Sequence, residues 1–178
     1  NGYFGKLLSI HLHDETHTFI PIPEAQLKEY IGGSGFGARL LYEYTGKETR
    51  PLSSDNVLIF AVGPFTGTGI PSTGRHAVVS KSPLTGIWGE SDVGGRWGIR
   101  LKRAGLDAVI IHGTANRPVC IVVTETGVKI NDASRLWGLD AYEVSEVLKR
   151  EYGPDAEVAA IGRAGERRVP LASIMHDG

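Results

Sequence analysis

The run Asn56-Val57-Leu58-Ile59-Phe60-Ala61-Val62 constrains this chain more than any other segment. After Asn56 it is apolar without alternation, so it reads as a buried strand rather than a half-exposed one. The character then changes at once, to Gly63-Pro64-Phe65-Thr66-Gly67-Thr68-Gly69-Ile70-Pro71-Ser72-Thr73-Gly74-Arg75. Loops at strand ends are common ligand sites, because the scaffold holds the loop while glycines expose backbone N–H groups. The same composition also suits a long surface loop, and both readings stand at this point. Arg75 closes the loop with a planar cation suited to phosphate or to a flat polar ring. No Gly-Lys-Ser/Thr ends it, so it is not a Walker loop.

Short strands and helices flank this segment. Leu8, Ile10 and Leu12 alternate along residues 6–12, and with residues 17–22 they read as a hairpin across His13-Asp14-Glu15-Thr16. Helices are expected near 24–31 and 36–45, separated by Gly32-Gly33, and near 96–104 and 139–151. Strands are expected at 76–80, 108–112, 118–124, 127–131, 157–161 and 169–174. The order hairpin, helix, apolar strand with closely following glycines occurs twice, the second time ending Ala159-Ala160-Ile161-Gly162-Arg163-Ala164-Gly165. The pattern predicts an α+β fold: two β-sheets from an internally duplicated β-hairpin/helix/strand unit, rather than a regular βαβ alternation.

Two further glycine clusters stand out in a chain whose 24 glycines are roughly twice the usual share. Gly33-Ser34-Gly35-Phe36-Gly37-Ala38 matches a dinucleotide fingerprint, which requires a preceding strand. The residues before it look helical, so a glycine bend between helical pieces is the competing reading. The segment Gly86-Ile87-Trp88-Gly89-Glu90-Ser91-Asp92-Val93-Gly94-Gly95-Arg96-Trp97-Gly98 feeds a helix, and helix N-termini attract anions. Arg96 would strengthen phosphate binding there, and Asp92 could support a divalent cation by carboxylate or carbonyl. The bland alternative makes Asp92 a cap and Arg96, Arg100 and Arg103 a solvated basic face. His11, His13 and His17 read as a solvated hairpin end, with a metal site as the less favoured alternative.

The bulk properties narrow the function. With 19 Lys and Arg against 20 Asp and Glu, the net charge of −1 points away from nucleic acid and from anionic membranes. No apolar run approaches the roughly 20 residues of a spanning helix. The single Cys120 lies in an apolar strand and reads as an inert core thiol in a reducing cytosol. There is no nucleophile elbow and no C-x-x-C.

Several stretches, taken in order, resemble the N-terminal domain of the aldehyde ferredoxin oxidoreductase family. They are Pro51–Asn56 into Leu58–Thr68, Pro71–Arg75, Lys81–Gly86, Gly94-Gly95 leading to Leu101–Ala108, and Ile161-Gly162 with Ala164-Gly165-Glu166 before Ala172–Met175. Asp132-Ala133-Ser134 and Trp137-Gly138 add support. The resemblance implies that residues 1–178 are the N-terminal cofactor-binding domain of a longer cytoplasmic chain. It implies a platform for a tungsten (or molybdenum) bis-pyranopterin, the molybdopterin-type cofactor. By position, Gly74 and Arg75 meet this cofactor on one side, and Asp92, Val93, Gly94, Gly95 and Arg96 on another. Asp92 falls where the family, which commonly has Asn, offers a backbone carbonyl to Mg²⁺. The [4Fe-4S] cluster needs about four thiolates, so later domains would bind it and the fragment alone would be inactive. Ferredoxin as electron acceptor, a small aldehyde or related acid as substrate, and a homo-oligomeric full-length enzyme are implied too. Two other hypotheses have tests of their own. A nicotinamide-dinucleotide domain needs a strand before Gly33. A non-catalytic β-rich interaction domain derived from the family needs Arg75 and Gly94-Gly95 to lie far apart.

Overall fold

The computed structural model describes residues 2–176. The chain opens with the hairpin β1 (Lys6–His11) and β2 (Thr16–Pro21). Two helices follow, α1 (Glu24–Tyr30) and α2 (Gly33–Tyr44). Then come β3 (Val57–Val62), β4 (His76–Lys81) and β5 (Trp88–Val93), the helix α3 (Trp97–Arg103), and β6 (Ala108–His112). These six strands make one sheet, in the order β2-β1-β6-β3-β4-β5. The β1–β6 pair is parallel; the other pairs are antiparallel.

The apolar run that became β3 lies inside this sheet, covered on both faces. Ile59 and Ala61 join Leu27, Phe36, Leu40 and Leu41 of α1 and α2 in one core. Phe60 and Val62 point the other way, to Leu8, Ile10 and Val109 of neighbouring strands and Leu101 of α3. Alternate side chains of a strand point to opposite faces, so only a strand covered twice needs an unbroken apolar sequence.

The second half is smaller. The hairpin β7 (Val119–Thr124) and β8 (Gly127–Asp132) lays Ile121, Val123, Val128 and Ile130 on the second core. Helix α4 (Ala141–Tyr152) starts with a capping box: Glu143 N donates to the Asp140 carboxylate at 2.9 Å, and Asp140 N donates to the Glu143 carboxylate at 2.8 Å. Leu148 of α4 packs with Ala133, Leu136 and Val158 in a third cluster. Last come β9 (Ala159–Ile161), the short helix α5 (Arg163–Glu166) and β10 (Ile174–His176), which pairs with β9.

The fold is α+β, as the sequence suggests, with differences of detail. Hairpin, helix and strand do recur in order. However, β1 and β3 join one sheet through β6, whereas β7–β8 and β9–β10 form separate two-stranded sheets. The strand expected at 169–174 lies instead at 174–176, behind α5. Strand β5 was not expected at all. Helix α2 starts at Gly33 itself, directly after α1, so the strand required by the dinucleotide reading is replaced by a helix. Packing explains two of those glycines. A Cβ on Gly35 would lie 2.5 Å from Tyr30 O, and one on Gly37 would lie 2.8 Å from Val79 Cγ2.

A buried ion pair joins the first strand to α3. Lys102 Nζ and Asp107 Oδ1 are 2.5 Å apart, both nearly inaccessible to solvent. Asp107 Oδ2 accepts from the backbone N–H groups of Phe4 and Gly5, at 2.9 and 2.6 Å. Removing one partner strands the other charge in a site that excludes water. Asp107→Ala should therefore lower the unfolding free energy by about 3–5 kcal/mol in urea titrations. Lys28→Ala, which breaks the exposed Glu24–Lys28 pair, should leave the midpoint unmoved. A loss below about 1 kcal/mol for Asp107→Ala would mean that Lys102 finds another partner.

Candidate functional site

The β4–β5 register builds the site. His76 pairs with Val93, so Arg75, just before His76, and Gly94, just after Val93, are carried to the same end of the sheet. The loop from β3 to β4 arrives there held by its own hydroxyls. Thr66, buried, accepts from Gly63 N at 3.2 Å and donates to Arg75 O at 3.4 Å. Thr68 and Thr73 donate to Phe65 O and Ile70 O, each at 2.7 Å. The turn from β5 into α3 packs directly against this loop. A Cβ on Gly74 would lie 2.5 Å from Gly95 O, and one on Gly98 would lie 3.0 Å from Gly74 O.

Together the two turns wall an open cleft of about 560 Å³. Gly74, Arg75, Gly94 and Gly95 line it, with Gly67, Gly69, Ser72 and Thr73 from the loop and Ile99 and Arg103 from α3. Its charged residues are two arginines; no carboxylate lines it. The requirement of the interaction-domain reading, that Arg75 and Gly94-Gly95 lie far apart, is not met.

Three residues that the resemblance points to stand outside the lining. Asp92 and Val93 belong to β5, opposite Ala77 and His76; Asp92 is exposed and Val93 half-buried. Arg96 turns away to acidic partners: Nε lies 3.1 Å from Glu157 Oε1, and Nη2 lies 3.4 Å from Asp155 Oδ1. Arg100 also reaches Asp155, at 3.3 Å. The expected common face of Arg96, Arg100 and Arg103 is thus divided, with Arg103 beside Ile99 on the cleft. Ile99 and Arg103 are the lining residues that the motifs missed; their i, i+4 spacing was the available signal. No group of three or more His, Cys, Asp or Glu among the described residues could hold a metal. His11 stacks on His112 at 4.7 Å and His17 meets Phe19 edge-on, which accounts for part of the histidine cluster as packing. No helix among the described residues is long and apolar enough to cross a membrane.

A family model described as aldehyde ferredoxin oxidoreductase, N-terminal domain, matches residues 7–178. The tungsten-containing aldehyde ferredoxin oxidoreductase of Pyrococcus horikoshii is 42% identical over 99% of this chain, and that of Pyrococcus furiosus 38%. A Pyrococcus furiosus aliphatic sulfonate oxidoreductase, WOR-like subunit, is 34% identical over 98% of the chain. Among solved structures, the active site complex BamBC of benzoyl coenzyme A reductase, in complex with 1,5-dienoyl-CoA, superposes with a TM-score of 0.96. It is 36% identical and covers 98% of this chain and 27% of its own. The chain spans about 29% of the length of the tungsten relatives.

At the start of β4, next to Arg75, lies His76, 2% exposed and stacked on Trp97 at 4.7 Å. Neither ring nitrogen has a hydrogen-bond partner among the described residues. Burial, helped by the neighbouring His176, pushes its pKa down to about 4. The unfolded chain therefore takes up this proton first, and the stability contributed by neutral His76 is lost as pH falls from about 6.5 towards 4. Wild type should lose more stability between about pH 7 and pH 4.5 than His76→Phe, which cannot be protonated there. Equal losses in parallel urea titrations would show that His76 is not the group responsible.

Proposed function

We propose, on the premise that the chain belongs to the aldehyde ferredoxin oxidoreductase family as its N-terminal domain, that the cleft is the platform for a tungsten bis-pyranopterin. The observation that carries this reading is Gly94. Its backbone does not adopt the left-handed conformation, and a Cβ placed on it would meet nothing within 4 Å. Neither backbone geometry nor crowding inside the protein calls for glycine there. A flat ligand lying against the backbone would. Gly74 and Gly98, by contrast, are required by the turns themselves.

In this reading Gly94 and Gly95 give the ligand close backbone approach, and Gly74 holds the two turns together. Arg75 offers its guanidinium to an anionic or planar polar group. Asp92 would offer its backbone carbonyl to a Mg²⁺, with Val93 leading the strand into Gly94. Arg96 acts at one remove: engaged by Glu157 and Asp155, it braces the entry to α3. When bound, the tungsten centre supplies the two-electron redox chemistry by which an aldehyde and water become a carboxylic acid. Ferredoxin would accept the electrons through a [4Fe-4S] cluster held by the rest of the chain.

The names of the relatives support a cofactor role over a substrate-selecting one. Similar sequence is found in proteins named for aldehydes, for aliphatic sulfonate and for glyceraldehyde-3-phosphate, and in a reductase complex holding a dienoyl-CoA. A domain shared across such different substrates suits what they have in common. Oxidation of aldehydes to carboxylic acids is the activity proposed for the whole enzyme.

The test is to purify the full-length enzyme anaerobically and measure tungsten and pterin per protomer. Gly94→Leu should fill the cleft, cutting pterin content by about tenfold or more while leaving the unfolding midpoint of the cofactor-free protein within about 1 kcal/mol of wild type. Gly74→Ala should instead destabilise the protein, by about 1–3 kcal/mol. Wild type without tungsten, molybdenum or pterin after maturation, or Gly94→Leu with full content, would end this reading.

A further inference from the structure

The arginines at and within α3 divide into two kinds. Arg96 and Arg100 are both spent on acids, Asp155 and Glu157. Arg103, one turn on from Ile99, lines the cleft, and no acid pairs with it among the described residues. Arg75, the last residue of the loop before β4, is also without an acid partner among the described residues. The cleft thus holds two guanidiniums from separate elements and no carboxylate of its own. Placing two like charges in one concave site is unfavourable unless solvent or an anion offsets it. A guanidinium matches a phosphate bidentately and fixes its orientation.

We propose that Arg103 is the second oxyanion-binding residue of this cleft, and that it takes a phosphate group separate from the group met by Arg75. The ligand class is therefore one carrying a phosphate at a distance from its Arg75-facing part. This deepens the cofactor reading and rests on it. The phosphate has two sources, the cofactor itself or a phosphorylated substrate. The competing role for Arg103 is to complement the C-terminal dipole of α3. Arg100 and Lys102 already place charge in that turn, and a dipole role would show in stability rather than in ligand retention.

The experiment uses the full-length enzyme with Arg103→Gln, Arg103→Lys and, as a charge control, Arg150→Gln. Pterin and phosphorus remaining on the protein are followed after dilution, beside KM for a phosphorylated and for a neutral aldehyde. If the cofactor supplies the phosphate, Arg103→Gln should release pterin about tenfold faster. Arg103→Lys should fall between, and Arg150→Gln should match wild type. If the substrate supplies it, retention stays unchanged, and KM rises about tenfold for the phosphorylated aldehyde alone. Unchanged retention without a KM rise confined to the phosphorylated aldehyde overturns the assignment, whether or not the unfolding midpoint falls. If Arg103→Gln does not fold, Arg103→Lys keeps the charge, loses the fork, and reads the same retention. Wild type that binds pterin while Arg103→Gln behaves normally sinks the Arg103 assignment alone. Wild type without pterin removes the platform beneath it.

Discussion

The Lys102–Asp107 pair is the constraint on which the site's architecture depends. Asp107 ties down the backbone of residues 4 and 5 and pairs with Lys102 in a buried place. Lys102 also donates to Gly63 O, the first residue of the glycine loop, at 3.3 Å. One ion pair thereby sets the N-terminal strand, the start of the loop and the helix α3 relative to one another. A replacement by packed apolar groups could match its stability. It would not reproduce the reach to Gly63, and with it the distance between loop and helix that opens the cleft.

Given that frame, the site follows from register and from small residues. The His76↔Val93 pairing brings two turns to one end of the sheet, and glycines let them touch. The cleft receives its cations from both elements, while acids placed behind α3 engage the arginines that face away. The local balance of charge is thus arranged by direction along a single short helix, rather than by the composition of the chain, which is nearly neutral.

Much of this was legible in the sequence where burial is two-sided. Strand β3 announced itself because both of its faces are covered. Strand β5 did not, because Glu90, Ser91 and Asp92 are all exposed and no alternation marks an element with little to bury. The glycine turns at Gly74 and Gly94-Gly95 could be picked out, and their convergence could be posed as a test, but the register that satisfies it is a long-range property. Arg103 escaped for a geometric reason. Seven residues from Arg96, it falls about 20° short of the same angular position on the helix. That shift carries it to the seam beside Ile99, which periodicity alone assigns to either side. The apolar Val169 and Leu171 suggested a strand, yet Leu171 is 75% exposed and the chain forms its strand later, at Ile174–His176.

The position of β5 at the margin of the six-stranded sheet has a mechanical consequence. The glycine loop is anchored between two paired strands and pinned by buried Thr66, so its side of the cleft is stiff. The opposing turn hangs from a strand hydrogen-bonded along one side only, with a hydrogen bond from Ser34 to Glu90 as its tether to α2. A rigid jaw therefore meets a compliant one. Clamping force in such a pair is set by the compliant member, so how firmly the cleft grips is governed by whatever comes to rest along the free side of β5.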